Sequence, residues 1–104
     1  MQQLDVVFTA LGDGTRRAIL ARLANGETPL SEVAEPFDMS QTAVSKHVRV
    51  LSDAGLVEVK KRGRTRYCSL QAEPMKNAAA WLEHYQQFWS NQFANLAEHL
   101  ERDQ

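Results

Sequence analysis

The chain has a single cysteine, Cys68, among its 104 residues. One thiol cannot close an intrachain disulfide, so a disulfide-stapled scaffold is excluded and a reducing compartment is implied. No apolar run approaches the roughly 20 residues needed to span a bilayer. The opening stretch MQQLDVVF has no basic patch ahead of an apolar segment and does not read as a secretory signal. Together these absences set the expectation of a cytoplasmic protein. Internal repeats, low-complexity tracts and Gly- or Ser-rich linkers are also missing, and this length leaves room for one domain, 1–104, with little for a second. There is no Gly-rich phosphate loop and no H-E-x-x-H pattern. Cys68, His84 and His99 supply no recognisable catalytic arrangement, and Glu98 and Glu101 beside His99 are ordinary for an exposed helix end. An enzyme is not expected.

A charge of one sign is lacking too, since the net charge is −1. Its distribution is uneven. Residues 1–39 and 67–104 each carry −3, while residues 40–66 hold seven Lys or Arg against two acids, a net +5. A basic block between two acidic ones fits either a solvated charge run or contact with a polyanion, and charge alone does not choose.

Residues 4–11 (LDVVFTAL) suit a short apolar helix. After GDG, the segment TRRAILARLAN places Ile19, Leu20 and Leu23 at helical spacing, with Asp13 as N-cap and Gly26 as stop. A third helix is predicted over 29–37, capped by Thr28 and opened by Pro29. Pro36 lacks an N–H and disfavours a helical Glu35, so that helix ends or bends there. DMS makes a turn. Ser40 then caps QTAVSKHVRVLSDA, a helix over about 41–54 that Gly55 stops. Ala43, Val44, Val48 and Leu51 form its core stripe. The opposite stripe carries Thr42, Ser45, Lys46 and Arg49, with Gln41 one turn before Ser45 and no acid. Next, LVEVKKRGRTRYCSL reads as a two-stranded hairpin whose basic tip, 61–64, turns at Gly63. From Pro74 a last helix of about 28 residues, roughly 40 Å long, covers 75–102. Ala78, Trp81, Leu82, Tyr85, Phe88, Trp89, Phe93, Leu96 and Leu100 fall on one broad stripe of it.

Two helices joined by a short turn and followed by a basic hairpin make a winged helix-turn-helix pattern, so the expected fold is mainly α with a small two-stranded β-wing. An α-helix fits the major groove of duplex DNA, and the first part of a recognition helix reaches base edges. Gln41, Thr42 and Ser45 are the candidate base readers there. Lys46 and Arg49 suit phosphate or guanine, and Ser40 is a cap or a further contact. His47 is a packing or phosphate residue. Arg62 and Arg64 at the hairpin tip suit the backbone or a narrow minor groove. Arg16 and Arg17 fit a phosphate contact or an ion pair with nearby acids. Five aromatics between Trp81 and Phe93 exceed what so small a core needs. A homodimer would cover Trp81, Tyr85, Phe88 and Trp89 together with Leu4, Val7 and Phe8 from the first helix. Its two-fold axis would set the recognition helices about one DNA turn, roughly 34 Å, apart on a pseudo-palindromic site.

The string SQTAVSKHVRVLSDAGLVEVKKRGRTRYCSL resembles the ArsR family of bacterial winged-helix repressors, through Ser-Lys-His, Val-Leu, Ala-Gly-Leu-Val, the Gly-Arg wing and its Tyr. LGDGTRRAIL resembles the family's second helix, with Gly14 where Pro is usual. AEPFDMS and WLEHYQQFW resemble a subgroup with an aromatic last helix. The resemblance implies a homodimeric repressor of transcription. It does not carry over a metal site. The Cys-x-Cys motif of metal-sensing members is missing from PLSEVAEPF, and His84 and His99 stand fifteen residues apart with no Asp two before His84. No metal or cofactor is therefore expected, and an unknown small-molecule effector stays open as a partner.

Overall fold

The computed structural model describes residues 2–102, apart from the side chains of Gln2, Trp89, Glu101 and Arg102. The chain runs α1 (Gln2–Leu11), α2 (Gly14–Leu23), β1 (Thr28–Pro29), α3 (Leu30–Ala34), α4 (Gln41–Asp53), β2 (Val57–Arg62), β3 (Thr65–Leu70) and α5 (Glu73–Arg102). Local chemistry sets most of these limits. Asp13 caps α2 by accepting the backbone N–H of Arg16 at 3.1 Å. Ser40 caps α4 by accepting the N–H of Ala43 at 3.1 Å. At the other end of α4, Leu56 N–H donates to Leu51 O at 2.9 Å and Gly55 N–H to Ser52 O at 2.9 Å. That pair of bonds is a Schellman stop, and it needs the left-handed φ of +78° that Gly55 supplies.

The third helix departs from expectation. It covers five residues, and Thr28 and Pro29 ahead of it form a strand instead of a cap and first turn. Thr28 Oγ1 donates to Gly26 O at 2.9 Å, and Pro29 sits at the N-cap position with no side-chain cap. The strand pairs antiparallel with β3, Thr28 opposite Cys68 and Pro29 opposite Tyr67. The wing hairpin therefore belongs to a three-stranded sheet ordered β1-β3-β2. Proline is tolerated there because β1 is an edge strand.

The core lies where α1–α4 meet the inner face of the sheet. Val7, Ile19, Leu23, Val33, Val44, Leu51, Leu56 and Cys68 are its largest fully buried side chains. Val48 completes the inner stripe of α4. Among the described residues no polar or charged side chain is fully buried. Val7 is 1% exposed and so belongs to the core, not to the outer surface expected of it; its neighbour Val6, 45% exposed, faces out.

Candidate nucleic-acid interface

With Val44, Val48 and Leu51 anchored in the core, α4 turns its other face outward. A groove runs between that face and the wing. From α4 it is lined by Gln41, Thr42, Ser45, Lys46, Arg49 and Ser52, and from the wing by Val59, Arg64, Thr65 and Arg66. Leu30 and Ser31 of α3 also line it, and no Asp or Glu does. The stripe expected from helical spacing is therefore assembled on one concave cationic wall. Spacing on α4 alone missed Ser31, Ser52, Thr65 and Arg66.

Strand alternation explains Arg66, and Thr65 reaches the groove from the end of the hairpin turn. Arg66 stands on the same face of β3 as buried Cys68, two residues nearer the tip, beyond the core and beside α4. Gly63 and Arg64 are the two loop residues of the hairpin, since Arg62 pairs with Thr65. Gly63 alone takes a positive φ there, +63°, which fits a type II′ turn.

Arg62 points elsewhere. Its guanidinium pairs with Glu27, in the connection between α2 and β1, and lies over the Tyr67 ring at 4.5 Å from the centroid. It does not line the groove that Arg64 lines. The expectation that Arg62 and Arg64 act as one cationic tip thus meets two different environments. Glu27 lies 35 residues away in sequence, so no local pattern announced this pairing.

His47 lies outside the groove lining, on the flank of α4 that faces the α1–α2 corner. Its Nδ1 is 3.3 Å from Nη1 of Arg16 and 3.8 Å from Oδ2 of Asp13. Arg16 also donates to Ala10 O and Thr9 O, and Arg17 donates to Leu11 O at 2.7 Å. Both arginines therefore cap the exposed carbonyls at the end of α1. The Arg16 backbone N–H, chiefly, holds the Asp13 carboxyl below the usual carboxylate range, with the His47 ring and the Arg16 guanidinium adding to the effect. Burial pushes the Cys68 thiol up, which disfavours the reactive thiolate.

Comparison with known proteins fits this geometry. The helix-turn-helix domain family matches residues 11–60. The HTH-type transcriptional regulator YuzN of Bacillus subtilis is 42% identical, covering 76% of this chain and 95% of its own. An ArsR family transcriptional regulator of known crystal structure is 43% identical, with a TM-score of 0.78 over 86% of this chain and 92% of that one. The chain belongs to the ArsR family. It is a DNA-binding transcriptional regulator and not an enzyme. A homodimeric winged helix-turn-helix DNA-binding domain from Mycobacterium bovis is also similar, at 29% identity and a TM-score of 0.67 over 83% of this chain and 80% of that one.

The remaining expected site of this ArsR-family protein is its apolar helix face. Phe8 of α1 meets Trp81 of α5 edge to face, with centroids 5.4 Å apart, and Trp81 stacks at a tilt on Tyr85 at 4.6 Å. Leu4 and Phe8 are partly buried against the core. Beyond that contact, every described side chain of α5 from Ala79 to Leu100 is exposed. Phe88, Phe93, Leu96 and Leu100 are each more than half exposed, at 51%, 65%, 53% and 56%. The expectation for Trp89 lies outside the described side chains. Among the described residues, no cluster of three or more His, Cys, Asp or Glu can hold a metal ion, and no helix is long and apolar enough to cross a membrane.

Proposed function

We propose that this protein acts as a homodimeric repressor on a pseudo-palindromic operator, with α4 in the major groove and the wing on the flanking backbone or minor groove. The cationic groove between α4 and the wing, lined by Lys46, Arg49, Arg64 and Arg66 and by no acid, carries this reading. Gln41, Thr42 and Ser45 stand at the leading end of α4, where base edges are reached. Gln pairs bidentately with adenine, and Ser and Thr take either donor or acceptor partners. Lys46, Arg49 and the Ser40 hydroxyl flank them. Arg64 and Arg66 neutralise phosphates, while Arg62 reaches the backbone only by giving up Glu27.

The exposed face of α5 supplies the second half of the proposal. Large apolar side chains in contiguous exposure favour burial against another surface, and a second copy offers the same chemistry. The homodimeric relative supports that choice. Repression then follows from occupancy, because a dimer seated on a promoter excludes other proteins from it.

Selection of bound duplexes from a random pool tests the proposal. Two inverted half-sites are expected, with centres about one helical turn, roughly 34 Å, apart. Affinity is expected to fall with salt by about 0.9 log units per log unit of salt for each phosphate neutralised. A slope near zero, or one unrepeated half-site, defeats the proposal. Gln41→Ala is expected to change base preference at one position, whereas Arg64→Ala lowers affinity on all sequences alike.

A further inference from the structure

Each of the three guanidinium nitrogens of Arg16 makes a contact inside the molecule. Nε donates to Ala10 O at 2.7 Å, Nη2 donates to Thr9 O at 3.1 Å, and Nη1 meets His47 Nδ1 at 3.3 Å. Two of these partners are carbonyls at the end of α1, and the third is a side chain of α4. Arginine only donates, so Nδ1 accepts, and the proton of a neutral His47 ring sits on Nε2. Asp13 Oδ2, 3.8 Å from the same Nδ1, favours the opposite tautomer, because a carboxylate only accepts. Arg16 and Asp13 therefore compete for one ring nitrogen, and the shorter contact belongs to Arg16.

We propose that Arg16 is a positioning residue for the DNA-binding face: it holds His47 in the Nε2–H form, so that α4 offers a donor to a DNA phosphate on the flank away from the wing, and it ties α4 to the end of α1. The phosphate partner rests on the duplex-binding reading above; the tautomer does not. The imidazole side chain is 25% exposed while its Nδ1 is engaged by Arg16. A phosphate oxygen accepts from a neutral Nε2–H but gains nothing from a bare Nε2. Because α1 packs on α5 through Phe8 and Trp81, the same guanidinium joins the apolar α1–α5 face to the recognition helix.

Nitrogen NMR of the histidine rings tests this in the free full chain, at about pH 8.5, above the ordinary imidazole range. Wild-type His47 is expected as Nε2–H, and Arg16→Met is expected to shift it toward Nδ1–H. The same variant is expected to bind duplex about tenfold more weakly, the size of one lost hydrogen bond to a charged group, with the salt slope unchanged. A wild-type ring in the Nδ1–H form overturns the proposal. So does unaltered affinity, or a slope smaller by about 0.9, which would make Arg16 itself a phosphate contact. Should Arg16→Met fail to fold, two ring replacements decide. The amide nitrogen of Gln stands near Nε2 and that of Asn near Nδ1, so His47→Asn is expected to bind about tenfold more weakly than His47→Gln. Equal affinities or the reverse order count against the proposal. If no form of the chain binds duplex, the operator reading fails, and the ring spectrum still decides the tautomer.

Discussion

Single side chains set the ends of the helices that carry the interface, and two of them have measurable consequences. Ser40 satisfies a backbone donor that helix geometry leaves open at the start of α4. Ser40→Ala is expected to cost about 1 kcal/mol, read as a lower urea midpoint. Asp13 does the same for α2 as a carboxylate, and its pKa is lowered in the fold. A lowered folded-state pKa adds stability above the unfolded value, and that stability is lost as pH falls through the folded one. Chain stability is therefore expected to drop below about pH 4, the ordinary carboxylate range, and Asp13→Asn is expected to flatten that drop while keeping a capping oxygen. Urea titrations across pH check both. These caps are legible in the sequence because donor and acceptor lie three residues apart. The engagement of Arg16 with His47 was not, because those residues are 31 apart.

At the scale of elements, spacing identifies which residues share a face, and packing decides where that face points. On α4 the two agree, since the apolar stripe is long enough to fix the helix rotation. On α1, spacing set Val7 on the outward face with Leu4 and Phe8, but packing against the core buries Val7 and exposes Val6. In the wing, alternation separates Arg66, on the face of Cys68, from Arg62, on the face of Tyr67. Arg66→Ala is expected to reduce the salt slope of duplex binding by about 0.9. Arg62→Ala is expected to reduce it by less, because the wild-type guanidinium is already paired with Glu27. Affinities measured across a salt series separate the two, and equal losses of slope would mean that DNA displaces Glu27. The short strand β1 had no signature of its own, since it exists only through pairing with β3 some forty residues later.

The whole molecule is elongated, at 68 × 30 × 20 Å. Its radius of gyration, 18.6 Å, exceeds the roughly 13 Å of a compact 100-residue domain because α5, 30 residues long in all, continues well past its contact with α1 at Trp81. Leu96 lies on that extension, 53% exposed and far from α4 in the chain. Leu96→Glu is expected to yield folded monomers by sedimentation, with affinity for a full operator reduced at least about tenfold through lost avidity. A variant that stays dimeric would place the interface elsewhere. By itself the sequence did not determine the cap or the length of α3, but it determined α2 and α4 with their Asp13 and Ser40 caps, the Gly55 stop, the glycine turn of the wing and the cationic stripe of α4. Each of these depends on residues within a turn or two of one another, where backbone geometry leaves few choices. Only the tertiary structure decided that Arg66 faces the groove, that Arg62 is held by Glu27, that Val7 is core and that Arg16 meets His47. Such contacts join distant segments, and their partners are fixed by the packing of the core beneath them.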